Sequence, residues 1–228
     1  MMSQKLTTPN PFNNLRGDVI NVAEICPATR ALGPGLRAVL WVQGCPFNCE
    51  GCIAKEWTTL KENKLLPVDV VVEKLLSIPE VTGITFSGGE PMLQAKGLYE
   101  VARLAKQQRK LNIVCFTGYE LEHLRTRPPS KWVSRFLETV DVLIDGQYVR
   151  ALNDNKGLRG SSNQRIHFLT GELIGFDFEK QIRTNEIQIL EGQALLIGVP
   201  PKQMLVAFES ALASLDALPS RLINYERT

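Results

Sequence analysis

Trp41-Val42-Gln43-Gly44-Cys45-Pro46-Phe47-Asn48-Cys49-Glu50-Gly51-Cys52 is the stretch on which the rest of the chain turns. An apolar run leads into three cysteines at Cys-x3-Cys-x2-Cys spacing. Three thiolates so close in sequence wrap one soft metal centre at little loop-closure cost. Zinc is one alternative, but a structural zinc site takes four protein ligands, usually in pairs. Only Cys26, Cys115, His123 and His167 are left to complete it, and none forms a second pair. A 4Fe–4S cluster fits better. Its four irons normally take four thiolates, so three leave one iron open. An open position lets a metal take a substrate or cosubstrate. Cys45, Cys49 and Cys52 therefore suggest a cluster that does chemistry.

The run at 36–43 is one of four apolar segments that each end in a polar, glycine-containing loop. The others, at 81–86, 111–116 and 140–144, lead into Ser87-Gly88-Gly89-Glu90-Pro91, Thr117-Gly118-Tyr119 and Asp145-Gly146-Gln147. Short runs of β-branched and aromatic residues suit strands buried on both faces. Amphipathic helices are expected between them at 68–76, after Pro67, and at 93–108 and 131–139. Alternation of this kind implies an α/β fold with parallel strands and right-handed crossovers. The four loops then share the carboxyl edge of the strands, where such folds bind ligands. A fifth strand is expected at 165–169. Further strands are expected at 174–180, 186–190 and 194–199, with a turn at Glu191-Gly192 and a closing helix at 204–215.

The 26 Lys and Arg against 24 Asp and Glu give a net charge of only +2. That balance, with no basic stripe, argues against a nucleic-acid binder held by phosphate contacts. At 44% hydrophobic and 22% charged, the 228 residues suit a soluble globular protein with ample core. Residues 1–16 lack the apolar stretch of a secretory signal and read as a flexible leader. No apolar run is long enough to span a membrane. Five cysteines, an odd number with one tight cluster, do not make a disulfide framework, which places the protein in the reducing cytoplasm. Residues 17–169 read as the core, and 170–228 as an extension packed on it or completing it, within one domain.

Cys-x3-Cys-x2-Cys after one strand and Gly-Gly-Glu-Pro after the next resemble the radical S-adenosylmethionine superfamily. Within it, five segments in order resemble the activating enzymes of anaerobic ribonucleotide reductase. They are Gly33-Pro34-Gly35-Leu36-Arg37, Trp41-Val42-Gln43-Gly44-Cys45, residues 85–91, residues 141–146, and Arg159-Gly160-Ser161-Ser162-Asn163-Gln164-Arg165-Ile166. The likeness implies a partial parallel (β/α) barrel and a 4Fe–4S cluster on Cys45, Cys49 and Cys52. It also implies S-adenosylmethionine as cosubstrate, with Gly88, Gly89 and Glu90 at its methionine end and Ser87 beside them. Glycines let backbone approach a ligand, and a carboxylate accepts from the amino group. Asp145, Asn163 and Arg165 are candidate polar contacts for ribose or carboxylate; ordinary turn chemistry is the other reading of their loops. Thr117-Gly118 reads as a strand-end turn before it reads as a contact. Many members carry an aromatic residue just before the third cysteine, where this chain has Gly51.

The resemblance further implies reductive cleavage of S-adenosylmethionine to a 5′-deoxyadenosyl radical. That radical would take a hydrogen atom from a glycine of a glycyl-radical enzyme, with flavodoxin or ferredoxin as electron donor. One alternative keeps the radical chemistry but acts on a small molecule or peptide; another is a non-catalytic electron carrier. The two remaining cysteines, Cys26 and Cys115, are too few for a second cluster and read as core residues. Trp41 and Trp57 flank the cluster.

Overall fold

A computed structural model of the chain describes residues 11–14, 17–190, 193–201, 203, 204, 206, 207 and 210. The central sheet has seven strands: β1 (Val19–Thr29), β2 (Arg37–Val42), β3 (Lys64–Pro67), β4 (Gly83–Gly88), β5 (Asn112–Phe116), β6 (Val142–Asp145) and β7 (Arg165–Phe168). Their order is β3-β1-β2-β4-β5-β6-β7. The pairs β2–β4, β4–β5 and β5–β6 are parallel, whereas β3, β1 and β7 pair antiparallel at the two flanks. The four parallel strands are the four expected apolar runs, and parallel strand–helix units give the mixed α/β class of a partial barrel.

Helices cover one face. The helix α1 (Val68–Leu75) buries Val68, Val71, Val72 and Leu75, the i, i+3, i+4, i+7 stripe of an amphipathic helix. Three consecutive valines are poor helix formers, so packing overrides propensity here. The helix α2 (Ala95–Gln108) buries Leu98, Val101, Ala102 and Ala105, and Gly97 lets it approach Ile20 of β1. Two short helices, α3 (Leu121–Thr126) and α4 (Val133–Leu137), complete the layer, with Phe136 against Phe86 at 5.7 Å. Alternation along the strands sends Ala38, Leu40, Phe86, Ile113, Cys115 and Leu143 to this side.

The opposite, inner face carries Val39, Trp41, Val114, Val142 and Ile144. The chain covers it with its own later residues. Leu158, Leu173 and Phe178 pack on β5 and β6. The hairpin β8 (Asn185–Leu190) and β9 (Gln193–Gly198) brings Ile197 onto Val39, Trp41 and Cys26. Glu186 accepts from Thr29 Oγ1 and Arg30 N, both at 2.8 Å, and Gln188 Nε2 donates to Ala28 O at 3.0 Å. At the amino-terminal end of the parallel strands the same face holds fully buried Arg37. It donates to Thr85 Oγ1, Ile84 O, Pro34 O and Asn112, so the guanidinium ties β2, β4 and β5 together. Burial lowers its pKa to about 9.

Several expectations change. The sequence reading missed β1 and the edge strand β3. The strand expected at 174–180 is a series of turns, where Asp177 Oδ1 accepts from the N–H groups of Glu179 and Lys180 at 3.0 Å. Phe176 and Phe178 still meet at 4.8 Å, so the apolar character of that run reflects packing, not pleat. Of the leader at 1–16, residues 11–14 form a helical turn whose Phe12 is buried against Gly44; residues 1–10, 15 and 16 lie outside the described residues. The turn at Glu191-Gly192 and most of the helix at 204–215 also lie outside them, although positions 204, 206, 207 and 210 are helical. Among the described residues, no helix is long and apolar enough to cross a membrane.

Candidate metal centre

The cysteine loop leaves the end of β2 through Gly44, whose φ of +93° suits glycine and whose Cα side is filled by the Phe12 ring. Its neck is closed by two backbone bonds, Gly44 N–H to Trp57 O at 2.8 Å and Cys45 N–H to Thr58 O at 2.9 Å. A network of buried amides secures the neck from below. Gln94 accepts from Asn21 N–H and donates to Asn21 O and Gln43 O; Gln43 donates to Thr59 O; Asn21 donates to Lys61 O and accepts from Asn63 N–H. These bonds link β1, the end of β2, the turn after Glu90 and the returning strand, so the loop hangs from a fixed frame. On its far side Gly51 (φ +72°) faces Arg150 and Tyr148 of the loop after β6.

Cys45, Cys49 and Cys52 are free thiols, half-buried on this loop. Burial raises all three thiol pKa values, so with no metal they stay protonated at neutral pH. Glu90 adds to the effect at Cys45, and Cys49 and Cys52 raise it further. Against this, the backbones of Phe47, Tyr148 and Ala54 offer hydrogen bonds to Cys45, Cys49 and Cys52 respectively, each favouring the thiolate. Three soft donors with amides directed at their sulfurs fit an iron–sulfur cluster, whose properties depend on such bonds. Among the described residues, no group of three or more His, Cys, Asp or Glu side chains is gathered tightly enough for a single metal ion.

The loop after β4 is stitched to this frame. Gly89 N–H donates to Val42 O at 2.7 Å and Glu90 N–H to Gly44 O at 2.8 Å. A Cβ on Gly88 would stand 2.4 Å from Val42 N, and one on Gly89 would stand 2.3 Å from Gly44 O. The two glycines therefore permit backbone to approach backbone: they press the Glu90 loop onto the residue before Cys45. Ser87, next to last in β4, is half-buried, beside Trp41 and on the face of Thr85.

Glu90 is 1% exposed, and burial raises its pKa to about 7 despite three hydrogen-bond donors. Met92 N–H and Thr117 O–H reach Oε1 at 2.9 and 2.7 Å, and Gly118 N–H reaches Oε2 at 2.8 Å. Thr117 follows β5, so the end of the next strand grips the carboxylate. Phe47, between the first two cysteines, lies over Gly118, where a Cβ would come within 2.6 Å of its ring, and meets Tyr119 edge-on at 4.8 Å. Cysteine loop, Glu90 and Thr117-Gly118 thus form one packed group at the carboxyl edge.

Asp145 takes a different direction. By alternation it shares the helix side with Leu143, away from Val142 and Ile144. Its Oδ2 accepts from Leu121 N–H at 2.6 Å, and Arg165 Nη2 and Nε lie 3.2 and 3.3 Å from its two oxygens. His167 Nε2 is 2.9 Å away without hydrogen-bond geometry. Arg165 also pairs with Glu122 at 2.8 Å. Asp145 and Arg165 thereby anchor α3 and the 117–121 loop, while exposed Asn163 donates to Gln147 O at 2.9 Å. The structure groups Ser87, Gly88, Gly89 and Glu90 with the cysteine loop, and Asp145, Asn163 and Arg165 with the neighbouring loops that brace it. Thr117 and Phe47 were not foreseen in these roles. The available signal was their place, one after an apolar strand and one between two cysteines. Cys26 and Cys115 are buried in the hydrophobic cores on the two faces of the sheet, and the Trp41 ring meets that of Trp57, at the loop's return, at 5.6 Å and a tilt of 45°.

The chain matches the family described as "4Fe-4S single cluster domain" over residues 31–167. It is 33% identical over 153 residues to the anaerobic ribonucleoside-triphosphate reductase-activating protein of Enterobacteria phage T4, which takes in 64% of this chain and 93% of the phage protein. The protein of that name from Escherichia coli (strain K12) is 30% identical over 161 residues, 66% of this chain and 99% of its own length. The pyruvate formate-lyase-activating enzyme of Clostridium pasteurianum is 33% identical over 92 residues, 38% of this chain and 39% of that enzyme.

Proposed function

The chain belongs to the 4Fe-4S single cluster domain family, in its branch of radical S-adenosylmethionine activating enzymes, and we propose that it abstracts a hydrogen atom from a glycine of an anaerobic ribonucleotide reductase. The observation that carries this reading is Glu90: a buried carboxylate, oriented by three donors, packed against the loop that bears the three cysteines. An electron carrier has no need of such a group.

On this reading Cys45, Cys49 and Cys52 hold the cluster, and Ser87, Gly88, Gly89 and Glu90 receive the methionine end of S-adenosylmethionine. When bound, the cluster supplies the electron that cleaves the cosubstrate to methionine and a 5′-deoxyadenosyl radical. Glu90 accepts a hydrogen bond from the amino group and fixes the cosubstrate's orientation. Asp145 and Arg165 brace the loop that holds Glu90, and Asn163 secures its neighbour. Phe47 and the Trp41–Trp57 pair keep water from the reacting end. Reduced flavodoxin or ferredoxin is the electron source, and the need for reduced thiols makes the protein cytoplasmic.

The test is anaerobic reconstitution followed by incubation with S-adenosylmethionine, a reductant and the anaerobic ribonucleotide reductase of the same organism. A glycyl-radical doublet in electron spin resonance, absent with Cys49→Ala, is expected. Release of 5′-deoxyadenosine without the doublet would move the substrate to a small molecule or peptide. No release at all would sink the radical reading.

A further inference from the structure

We propose that Thr117 is a positioning residue for the cosubstrate: its hydroxyl turns the Glu90 carboxylate so that one acceptor direction, on Oε2, is left for an amino N–H. The proposal rests on the reading of Glu90 given above.

The direction of each hydrogen bond follows from the donors. Tyr119 N–H points at Thr117 Oγ1, 3.1 Å away, and an amide N–H can only donate. The hydroxyl accepts there on one lone pair, and because the ionised carboxylate can only accept, the hydroxyl proton goes to Glu90 Oε1 at 2.7 Å. Met92 N–H and Gly118 N–H are likewise fixed donors. A carboxylate offers about four acceptor positions. Among the described residues two are taken on Oε1 and one on Oε2, which leaves one on Oε2. Oε2 is also the oxygen beside Gly118, the residue that the Phe47 ring of the cysteine loop packs against.

Thr117 is well placed to hold this arrangement still. Its backbone N–H donates to Ile144 O at 2.9 Å, and its side chain is 4% exposed. Its β-branch restricts χ1, so the hydroxyl is not free to swing away. Without it, Oε1 keeps a single donor and the carboxylate gains a rotation that the ligand must then freeze.

The experiment compares wild-type holoenzyme with Thr117→Val, which keeps the shape and loses the hydroxyl, and with Thr117→Ser, which keeps the hydroxyl. Equilibrium dialysis against S-adenosylmethionine, without reductant, reads binding apart from turnover. Thr117→Val is expected to weaken binding about tenfold, the range of one hydrogen bond to a charged group. Its KM should rise by the same factor, while kcat for 5′-deoxyadenosine release and iron content stay at the wild-type level. Thr117→Ser should restore binding. Wild-type affinity in Thr117→Val overturns the proposal. So does loss of iron or of the fold in that variant, since the hydroxyl would then be structural. Failure of the wild type itself to bind S-adenosylmethionine would instead overturn the reading on which the proposal rests.

Discussion

The burial of Glu90 makes a prediction about the protein before any cofactor is added. Its folded pKa of about 7 lies above the ordinary carboxyl value of 4.5, so the folded state holds this proton more tightly than the unfolded one. Its contribution to stability is therefore greatest below pH 4.5, falls as pH rises towards 7, and levels off above. The full difference corresponds to about 3 kcal/mol, and most of it falls between pH 5 and 8. Glu90→Gln has no proton to lose there. It gives up one hydrogen bond, because its amide N–H2 must face either Gly118 N–H or the donors at Oε1, but that loss does not vary with pH. Urea unfolding of the two metal-free proteins at pH 5, 6, 7 and 8 isolates the effect, since every other carboxylate cancels in the difference. The stability of wild type relative to Glu90→Gln should fall by about 2–3 kcal/mol across the range. Parallel pH profiles for the two proteins would refute the reasoning, because they would mean that the three donors fully offset burial.

Cys49→Ala should abolish iron binding on anaerobic reconstitution and with it reductive release of 5′-deoxyadenosine, measured by iron analysis and chromatography; a variant that keeps both would remove Cys49 from the ligand set. Gly89→Ala drives a Cβ to 2.3 Å from Gly44 O, backbone that cannot yield cheaply; a loss of about 3 kcal/mol or more in urea unfolding is expected, against no change if the loops are independent. Ile197→Ala removes a fully buried side chain from the inner face and should cost about 2–4 kcal/mol by the same assay, whereas a neutral result would mean the hairpin does not cover that face in solution.

The parallel strands were legible because both of their faces are buried and the runs are continuously apolar. The strand β1 was not, because its polar residues serve long-range partners. Asn21 is fully buried yet belongs to the amide network, and Pro27 sits in the register shift between Cys26 and Thr29. The strand β3 is four mostly exposed residues at a sheet edge, too short for a period to register. At 174–180, Gly175 and Asp177 outweighed the apolar residues beside them. The three cysteines could be read from their spacing, and the Gly-Gly-Glu loop from its place after a strand and its resemblance to a known family. The grip of Thr117 on Glu90 spans 27 residues and depends on which strands are neighbours. Asp145 shows the same limit from the other side. Its place at a strand end was correct, but the pleat turns its carboxylate to the helices.

The cover over the inner face carries a consequence for the order in which the protein is made. The sheet is complete once Phe168 is synthesised, but β9 ends 30 residues later, at Gly198. Its partners on β1 and β2 lie far back in the chain: Gln188 reaches across 160 residues to Ala28. At roughly 5–20 residues per second, the bare apolar face waits about 2–6 s for its cover. Contacts of such long range also form late in refolding. During that interval the nascent chain is a sheet with one sticky side, so yield on expression should depend on chaperone supply and temperature more than the finished protein's stability would suggest.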